Sequence, residues 1–434
     1  MKKVYTICLM LILVGMLMHE NLNAQGSEWV NQVLTVNSGR YETTPPFIDY
    51  VTVQSYNPAS QQVIVLGTIY TQSAQDVVIK GKYAYVAAQD SIVMYDIDNY
   101  MRVAAVADSG LNRLYVYNNR LIVTKKSPIK RFFVEVLDAA NLSLINRVQN
   151  ISGDCAGVTS DGNLVYVAVI GGILANEGKL AIINTTNWTL NQEIGFGVDA
   201  IGIWDLFNYG GNIYSVNRTP PGVTDMGSIT VFNLGNYSFV NKNLGLKVGD
   251  GYGILDNLLY LNIQNGVGSF DIINQEIQDT VIIPDPGFIS HIYITSGKVD
   301  YINNRLYTSV GNKVSWGVGV VSTNAGDSIT SYPTGISADA VAVDYRAPVG
   351  IQTRESDDFS IYPNPTSDFL IIESIDHNPI QEIFISDLTG KIVYQNQTNT
   401  VSRVQLTCKD LPKGFYFLTI KTGQGIFNSK FIKE

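Results

Sequence analysis

The stretch Gly162-Asn163-Leu164-Val165-Tyr166-Val167 joins a turn pair to a run of strand-forming residues, and it is the unit from which most of the chain is built. Gly and Asn tolerate a positive φ, so the pair predicts a hairpin turn that leads into a strand. Related stretches begin at Gly81, Asn119, Gly211, Asp256 and Asn304, and a seventh copy begins at Asn31. A unit that recurs in this way indicates a repeat architecture.

A second pattern marks the far side of each repeat, where an apolar strand stops at a short polar turn. The turn residues are Asn57, Asp96, Asp138, Asn184, Asn233, Asp271 and Ser322. Their average spacing of about 44 residues matches a four-stranded propeller blade. Between residues 27 and 345 the sequence lacks a long apolar pattern with the 3.6-residue period of a helix.

The two ends of the repeat region complement each other. The last inner strand, Asp339 to Asp344, lacks following partners, whereas the strands near Asn31 and Asn57 lack an inner strand before them. The N-terminal strands therefore complete the blade that begins at residue 339, which leaves no long unpaired edge. We predict an all-β chain in which residues 27–345 form a seven-bladed β-propeller closed by its N-terminal strands. A β-sandwich, the alternative, explains neither the period nor the matching ends.

The repeat region resembles the surface-layer, YVTN-type β-propellers, and in particular a secreted group from Bacteroidetes. The resemblance is carried by Val33-Leu34-Thr35-Val36-Asn37-Ser38-Gly39 followed by Val53-Gln54-Ser55-Tyr56-Asn57-Pro58. It implies kinship with surface cobalamin-capture propellers, which sit over an outer-membrane transporter and usually carry a lipid anchor. This chain departs from that pattern, because no cysteine stands next to the small residue Ala24 that precedes the expected cut of the leader.

The N-terminus has the layout of a secretory signal peptide. A basic Lys2-Lys3 pair precedes an apolar run from Val4 to Met18, and Ala24 provides the small residue at the cut. The run is shorter than the ~20 residues that span a bilayer. We therefore expect residues 1–24 to be removed and no transmembrane segment to follow.

The tail of the chain has a different pattern. Residues 346–358 read as a polar linker, and over residues 359–434 short alternating strands are separated by Gly, Pro and Asp turns, as in a small antiparallel β-sandwich. Its motif residues are Tyr362, Pro363, Asn364, Pro365, Gly390, Gly414 and Tyr416. In this order, at the C-terminus, they resemble the type A sorting domain of the type IX secretion system. The resemblance implies handling by that secretion machinery and a secreted or cell-surface location, on the exterior of the outer membrane.

Charge and histidine content argue against several functions. A net charge of −9 gives no basic footprint for nucleic acid. His291 is the only histidine of the repeat region, which argues against a His-based triad or a multi-His metal site. The dinucleotide-like stretch Gly195 to Ala200 lies between blades, and Asp96-Ile97-Asp98 lacks the later ligands of a calcium loop. We expect no cofactor, no metal and no catalytic residue.

Two sets of residues are candidates for ligand binding. Acids that precede the inner strands would ring the mouth of the central channel and suit a cation or a polyhydroxylated ligand, although Asp is also a favoured turn residue. These acids are Asp76, Asp154, Asp199, Asp250 and Asp339. Aromatic and basic residues on the loops of the same face suit sugars, corrins or proteins. This second set comprises Arg40, Tyr41, Trp204, Arg218, Tyr252, His291 and Trp316.

These observations favour a non-catalytic, exported propeller that binds an unknown small molecule, glycan or protein on its loop face, as a monomer. Surface capture of cobalamin or another nutrient, a propeller lyase or hydrolase, and a purely adhesive surface protein are the alternatives. Binding predicts a concave site where Tyr, Trp and Arg from several blades converge. Catalysis predicts two carboxylates within reach of one substrate atom, and adhesion predicts exposed aromatic residues without a pocket.

Overall fold

A computed structural model describes residues 28–40, 49–170, 176–220, 222, 226–264, 266–286, 292–312, 315–347, 359–374, 379–388, 391–422 and 425–434. The predicted signal peptide lies outside the described residues, as do Tyr41, His291 and Gly390. One compact unit spans Glu28–Arg346, and a second takes in Ala347–Glu434. The described residues form strands and turns with one 3₁₀ turn at Val198–Ala200. Within them, no helix has the length and apolarity to cross a membrane.

Seven four-stranded antiparallel sheets make the first unit a seven-bladed β-propeller, which confirms the predicted fold class. From the innermost strand outward, blade 1 is β4 (Ala74–Lys80), β5 (Tyr83–Ala88), β6 (Ser91–Asp96) and β7 (Met101–Ala107), blade 2 is β8 (Leu111–Tyr117), β9 (Arg120–Lys125), β10 (Val134–Asp138) and β11 (Leu144–Arg147), and blade 3 is β12 (Cys155–Ser160), β13 (Leu164–Val169), β14 (Gly178–Asn184) and β15 (Thr189–Gly197). Blade 4 is β16 (Ile203–Tyr209), β17 (Asn212–Asn217), β18 (Ser228–Asn233) and β19 (Phe239–Asn243), blade 5 is β20 (Val248–Leu255), β21 (Leu258–Ile263), β22 (Gly266–Asp271) and β23 (Glu276–Pro284), and blade 6 is β24 (Tyr293–Asp300), β25 (Arg305–Gly311), β26 (Gly317–Thr323) and β27 (Ser328–Thr334). Blade 7 is β28 (Ser337–Arg346), β1 (Trp29–Ser38), β2 (Val51–Tyr56) and β3 (Val63–Ile69).

Blade 7 is assembled from both ends of the unit. Its inner strand β28 pairs with β1, so that Val343 lies opposite Val33. The prediction that the N-terminal strands complete the last blade is therefore confirmed. Arg346, which the sequence pattern assigns to the linker, lies opposite Trp29 as the last residue of β28.

The hairpin between the third and the outer strand follows one backbone pattern in blades 1 to 5 and in blade 7. In blade 4, Asn233 Oδ1 accepts the backbone N–H groups of Gly235 (2.9 Å) and Asn236 (3.2 Å), and Tyr237, four residues on, has a φ of 61°. The residues in the place of Asn233 in the other five blades are Asn57, Asp96, Asp138, Asn184 and Asp271, each with a positive φ at the fourth residue after it. In blade 6 the turn is one residue shorter and begins at Thr323 rather than at the predicted Ser322, and Thr323 Oγ1 accepts the N–H of Asp327 at 3.0 Å. A short polar side chain that bonds its own backbone therefore specifies the end of each repeat.

We expect Asn233→Ala to lower the free energy of unfolding of the propeller by about 1 kcal/mol, because two backbone N–H groups lose their acceptor. Chemical denaturation measures this loss. Asn191→Ala in β15, where the asparagine is exposed, is the matched control and should stay within about 0.5 kcal/mol of the parent. Equal losses in the two variants would show that the turn does not depend on this side chain.

Tyrosines of the second strands fill the space between blades. Tyr85 and Tyr166 are at most 2% exposed. Tyr85 of blade 1 shares a core cluster with Leu114 of blade 2, and Tyr166 of blade 3 shares one with Ile203 of blade 4. Burial of each ring contributes roughly 1.5 to 3 kcal/mol, so these tyrosines hold the ring of blades together.

Each of the seven inner strands contains an extra residue near its start, and β20 contains a second one between Gly251 and Gly253. In β4 the register with β5 passes from Ala74 opposite Ala88 to Asp76 opposite Ala87, so Gln75 is left over. The same one-residue slip occurs in β8, β12, β16, β20, β24 and β28. A β-bulge bends its strand and redirects the side chains beside it. A ring of such bulges surrounds the channel at one level.

The second unit contains a small antiparallel sandwich, as predicted. One sheet has the order β29–β30–β33 and the other the order β32–β31–β34–β35. The bounds are β29 (Phe359–Tyr362), β30 (Phe369–Ser374), β31 (Ile380–Ser386), β32 (Ile392–Val401), β33 (Arg403–Thr407), β34 (Gly414–Thr422) and β35 (Gly425–Lys433). Leu370, Ile383, Leu418 and Phe431 are fully buried between the sheets.

Two of the predicted tail motif residues stabilise this sandwich. Asn364 Oδ1 accepts the N–H of Ile432 at 3.0 Å, and its Nδ2 donates to the carbonyl oxygen of Lys430 at 3.2 Å. The Tyr416 hydroxyl donates to the carbonyl oxygen of Pro412 at 2.7 Å. The turn after β29 is thereby attached to the last strand.

Candidate functional site

A cavity of about 470 Å³, the channel cavity, lies along the axis of the propeller. Every inner strand contributes to its lining at or beside the bulge, through Asp76, Arg113, Gly157, Asp205, Asp250, Ser296 and Asp339. Its volume falls in the range of small-ligand sites, and its lining is polar and charged at the level of the bulges.

Arg113 of blade 2 reaches across the channel. Its Nη1 donates to the carbonyl oxygen of Gln75 in blade 1 at 3.0 Å. Its Nε lies 3.7 Å from Asp205 Oδ1 in blade 4, and its Nη2 lies 3.6 Å from Asp250 Oδ2 in blade 5. Burial alone would lower the pKa of Arg113, but the surrounding carboxylates, led by Asp205, leave that pKa raised. One guanidinium thus connects four blades and stays charged.

Trp204, the extra residue of the blade 4 bulge, is surrounded by three cations. The guanidinium carbon of Arg218 lies 3.7 Å from the centre of the indole, that of Arg113 lies 5.3 Å away, and Lys126 Nζ lies 5.6 Å away. A cation over an indole face is attracted by the ring, most strongly where water is excluded. We call Arg113, Lys126, Trp204, Asp205, Arg218 and Asp250 the Trp204 cluster.

The two acids of the Trp204 cluster differ in their surroundings. Burial raises the pKa of Asp205 against the opposing effect of Arg113, and the Asp250 carboxylate adds to the rise. Asp205 Oδ2 also accepts the N–H of Gly251 at 2.8 Å. Asp250 pairs through Oδ1 with Arg218 Nη2, and its side chain is one-third exposed. Asp250 is therefore the more accessible of the two carboxylates.

The cations of the Trp204 cluster also differ in their pKa and in whether an acid lies within ion-pair distance. Burial lowers the pKa of Arg218 even though Asp250 and Asp205 oppose that effect. Burial likewise lowers the pKa of Lys126, and the positive charges of Arg113 and Arg218 lower it further against the opposing effect of Asp154. Among the described ion pairs of the Trp204 cluster, Arg113 and Arg218 each contact an acid and Lys126 contacts none.

Two of the predicted acids have a role in joining the blades. Asp76 Oδ2 accepts the N–H of Leu114 in the next blade at 2.7 Å. Asp339 accepts the hydroxyl of Ser38, whose oxygen accepts the N–H of Ala74 in blade 1. Both line the channel cavity, but one carboxylate oxygen of each is bonded to a neighbouring strand and the other to a residue of its own strand.

The structure brings only some of the predicted residues together. Trp204, Arg218 and Asp250 belong to one cluster, and Asp76, Asp339 and Tyr252 join Asp250 in the lining of the cavity. Tyr252 is 3% exposed, and its ring covers Gly297, so it packs rather than faces a ligand. Asp154, Asp199, Arg40 and Trp316 do not line the channel cavity. Trp204 and Arg218 do not line it either, but they contact its lining residues Arg113 and Asp250. Asp199 lies in the 3₁₀ turn, and Trp316, 41% exposed, lies at the start of blade 6's third strand. The positions of Tyr41 and His291 lie outside the described residues.

Sequence reasoning missed Arg113, Lys126 and Asp205. Arg113 and Asp205 stand inside inner strands beside bulges, where the alternating pattern gives no sign that a side chain faces the channel. Lys126 lies on the loop between β9 and β10, and nothing in the sequence distinguishes it from Lys130 on the same loop. Within the described part of the chain, no group of three or more His, Cys, Asp and Glu side chains is arranged to hold a metal ion.

Solved structures offer distant likenesses to the chain. Hydrazine synthase from Kuenenia stuttgartiensis is 10% identical with a TM-score of 0.49, over 73% of this chain and 99% of that chain. The RRP9 WD40 repeats are 10% identical with a TM-score of 0.48, over 77% of this chain and 94% of that one. BamB from Moraxella catarrhalis is 12% identical with a TM-score of 0.42, over 80% and 95%. These values carry no inference about function. A comparison with curated proteins finds no match.

The tail matches a family model. Residues 360–434 match the secretion system C-terminal sorting domain. The match covers the sandwich almost from its first residue and includes the motif from Tyr362 to Pro365. Residues 360–434 are therefore a C-terminal sorting domain, and the chain is exported through the type IX secretion system to the cell surface or the medium.

Proposed function

We propose that the exported propeller is a non-catalytic binding protein that holds a small polar ligand in the channel cavity beside the Trp204 cluster. The observation that carries the proposal is that Arg113 and Asp250 line a cavity of about 470 Å³, and that Trp204, Lys126 and Arg218 gather against these two residues from blades 2 and 4. A rigid ring of blades holds these side chains in place before a ligand arrives. Such pre-organisation lowers the entropic cost of binding.

The electrostatics support the same proposal. Lys126 and Arg218 are held where burial disfavours their charge, as the lowered pKa of each shows. Charged groups kept in unfavourable surroundings are concentrated at functional sites. A ligand that supplies hydrogen-bond partners would recover part of that cost.

We expect Arg218→Met to weaken ligand binding by about tenfold or more, because a charge-assisted hydrogen bond and the cover of the indole are lost together. The protein would be screened by thermal shift against acidic and neutral oligosaccharides, cyanocobalamin and short peptides, and affinities of the compounds that raise the melting temperature would be measured by calorimetry. A ligand at 100 times its Kd stabilises the folded state by about 2.7 kcal/mol, which gives a measurable shift.

Arg40→Met is the matched control for this screen. Arg40 is exposed, and its carbonyl oxygen accepts the Gln72 amide outside the cluster. The control should bind as the parent does. If no compound shifts the melting temperature, or if Arg40→Met and Arg218→Met weaken binding equally, the channel cavity is not the site and an adhesive role is favoured. Binding of cyanocobalamin would assign the protein to the cobalamin-capture alternative.

Hydrolysis or elimination is the second candidate function, and one observation favours it. Asp205 and Asp250 both approach Arg113, and the pKa of Asp205 is raised by burial, as in a carboxylate pair that shares acid and base roles. Mass spectrometry after long incubation with each bound oligosaccharide separates the two functions. Binding predicts an unchanged ligand, and catalysis predicts cleavage that Asp205→Asn abolishes.

A further inference from the structure

Both buried side-chain nitrogens that lack an acceptor among the described residues lie in the Trp204 cluster. Trp204 Nε1 and Arg218 Nε are buried and have no hydrogen-bond partner among the described residues. Lys126 Nζ contacts the indole and takes part in none of the ion pairs of that part of the chain. Buried polar groups in native proteins are almost always bonded, so two buried donors without a partner, beside an ammonium group without an ion pair, require an explanation.

The two carboxylates of the same cluster, in contrast, each have donors close to them. Asp205 faces the N–H of Gly251 and the guanidinium of Arg113, and Asp250 faces Arg113 and Arg218. Within ion-pair distance the three cations of the cluster meet two acids, Asp205 and Asp250, while Asp76 and Asp154 act on Arg113 and Lys126 without forming an ion pair with them. Donors of the cluster therefore remain without a contacting acceptor. The complementary ligand is an acceptor that carries negative charge.

Position strengthens this argument. Lys126 is half-buried on the loop between β9 and β10 and lies beside Arg113 and Arg218, whose charges repel its own. Arg218 lies at the end of β17, where it covers the indole of Trp204. An oxygen anion near Lys126 Nζ and the Arg218 guanidinium would relieve the repulsion. It would also draw the guanidinium toward itself and give Trp204 Nε1 access to an acceptor.

We propose, on the basis of the function proposed above, that the ligand carries an oxyanion, a carboxylate or a sulfate ester, which binds Lys126 Nζ and the Arg218 guanidinium over Trp204. The two oxyanions share the chemistry that this cluster recognises, because both accept charge-assisted hydrogen bonds from ammonium and guanidinium groups. Lys126 supplies a positive charge that forms no ion pair among the described residues, and Arg218 supplies the planar fork.

The test compares probes that differ in charge alone. Calorimetry of the full chain would use trigalacturonate, its methyl ester, a sulfated galactan oligosaccharide and the unsulfated oligosaccharide. The acid should bind at least about tenfold tighter than its ester, or the sulfated oligosaccharide at least about tenfold tighter than its parent, as expected for one charge-assisted contact. Which of the two anions binds identifies the source of the oxyanion.

Variants assign the effect to Lys126. Lys126→Met should lose about tenfold in affinity for the charged probe, and Lys126→Arg should keep most of it. Lys130→Met, an exposed lysine on the same loop, is the matched control and should leave the affinity unchanged. Without ligand, Lys126→Met should melt no lower than the parent, because it removes a repelled charge, so that a loss of binding cannot be attributed to misfolding.

The outcomes separate this inference from the proposed function. Equal affinity for charged and neutral partners, or binding of the charged probe that Lys126→Met leaves intact, overturns the oxyanion assignment. If a neutral compound binds and Arg218→Met weakens it, the binding function stands while the oxyanion assignment fails. Absence of binding by both charged probes also overturns the assignment, and only a failure of the whole thermal-shift screen overturns the binding function.

Discussion

Arg113→Met should lower the free energy of unfolding of the propeller by about 3 to 4 kcal/mol at pH 7.5, which is the range for breaking a buried charge pair by removal of one partner. The Arg113 side chain is 19% exposed and lies within 3.7 Å of two carboxylates, Asp205 and Asp250. Without Arg113, Asp250 keeps its ion pair with Arg218, whereas Asp205 has no ion-pair partner left among the described residues. The substitution also removes the donor to the Gln75 carbonyl oxygen.

The loss should depend on pH in a defined direction. Burial already raises the pKa of Asp205, and Arg113 opposes that rise, so the variant should raise this pKa further. When an acid has a higher pKa in the folded state than in the unfolded state, it does not lower the free energy of unfolding at a pH where it is protonated in both states. The destabilisation grows as pH rises from the unfolded value of about 3.9 through the folded pKa. Denaturation at pH 4 should therefore show a smaller loss than denaturation at pH 7.5.

Arg120→Met is the matched control for this comparison. Arg120 Nη1 lies 3.3 Å from Asp138 Oδ2 at a partly exposed site, and such pairs contribute about 0 to 1 kcal/mol. Adding Asp205→Asn to Arg113→Met should recover part of the lost stability, since it removes the uncompensated charge. A loss that is the same at both pH values, with no recovery in the double variant, would show that Arg113 acts through packing and the Gln75 carbonyl alone.

The sequence predicts the architecture because each repeat is specified by local chemistry. Asn233 and its equivalents end the third strand through bonds to their own backbone, and that signal needs no knowledge of the rest of the fold. The matching ends predict the shared blade 7 by the same logic, because unpaired strand edges are unfavourable.

The candidate site is less visible in the sequence for a physical reason. Arg113, Trp204 and Asp250 all lie at bulges, where one extra residue breaks the two-residue alternation that sequence reasoning relies on. A search for acids before the inner strands therefore finds Asp250 but also Asp154 and Asp199, which do not line the channel cavity. Lys126 becomes a candidate only when Trp204, from a different blade, is seen beside it.

Gly157→Ala should destabilise the propeller by about 3 kcal/mol and disturb the Trp204 cluster at the same time. A Cβ at Gly157 would lie 2.4 Å from the carbonyl oxygen of Trp204 and 2.9 Å from the Cα of Asp205. These are backbone atoms of β16 in the next blade, so no side-chain rotation can relieve the contact, and overpacking of this kind costs about 1 to 3 kcal/mol or more. The bulge of β12 can approach β16 closely only because residue 157 has no side chain.

The prediction is checked by denaturation together with tryptophan fluorescence of the folded variant, since displacement of β16 moves the backbone that carries Trp204. Gly81→Ala is the matched control. Gly81 has a φ of 55°, and a Cβ at this position would have no atom within 4 Å. Its substitution should therefore lower the free energy of unfolding by about 1 kcal/mol through backbone strain. It should leave the tryptophan fluorescence unchanged. If Gly157→Ala costs no more than Gly81→Ala, blades 3 and 4 are packed less closely at the channel than these distances require. Arg113 would then reach Asp205 across a gap that tolerates movement, and the pre-organisation on which the proposed binding site depends would be lost.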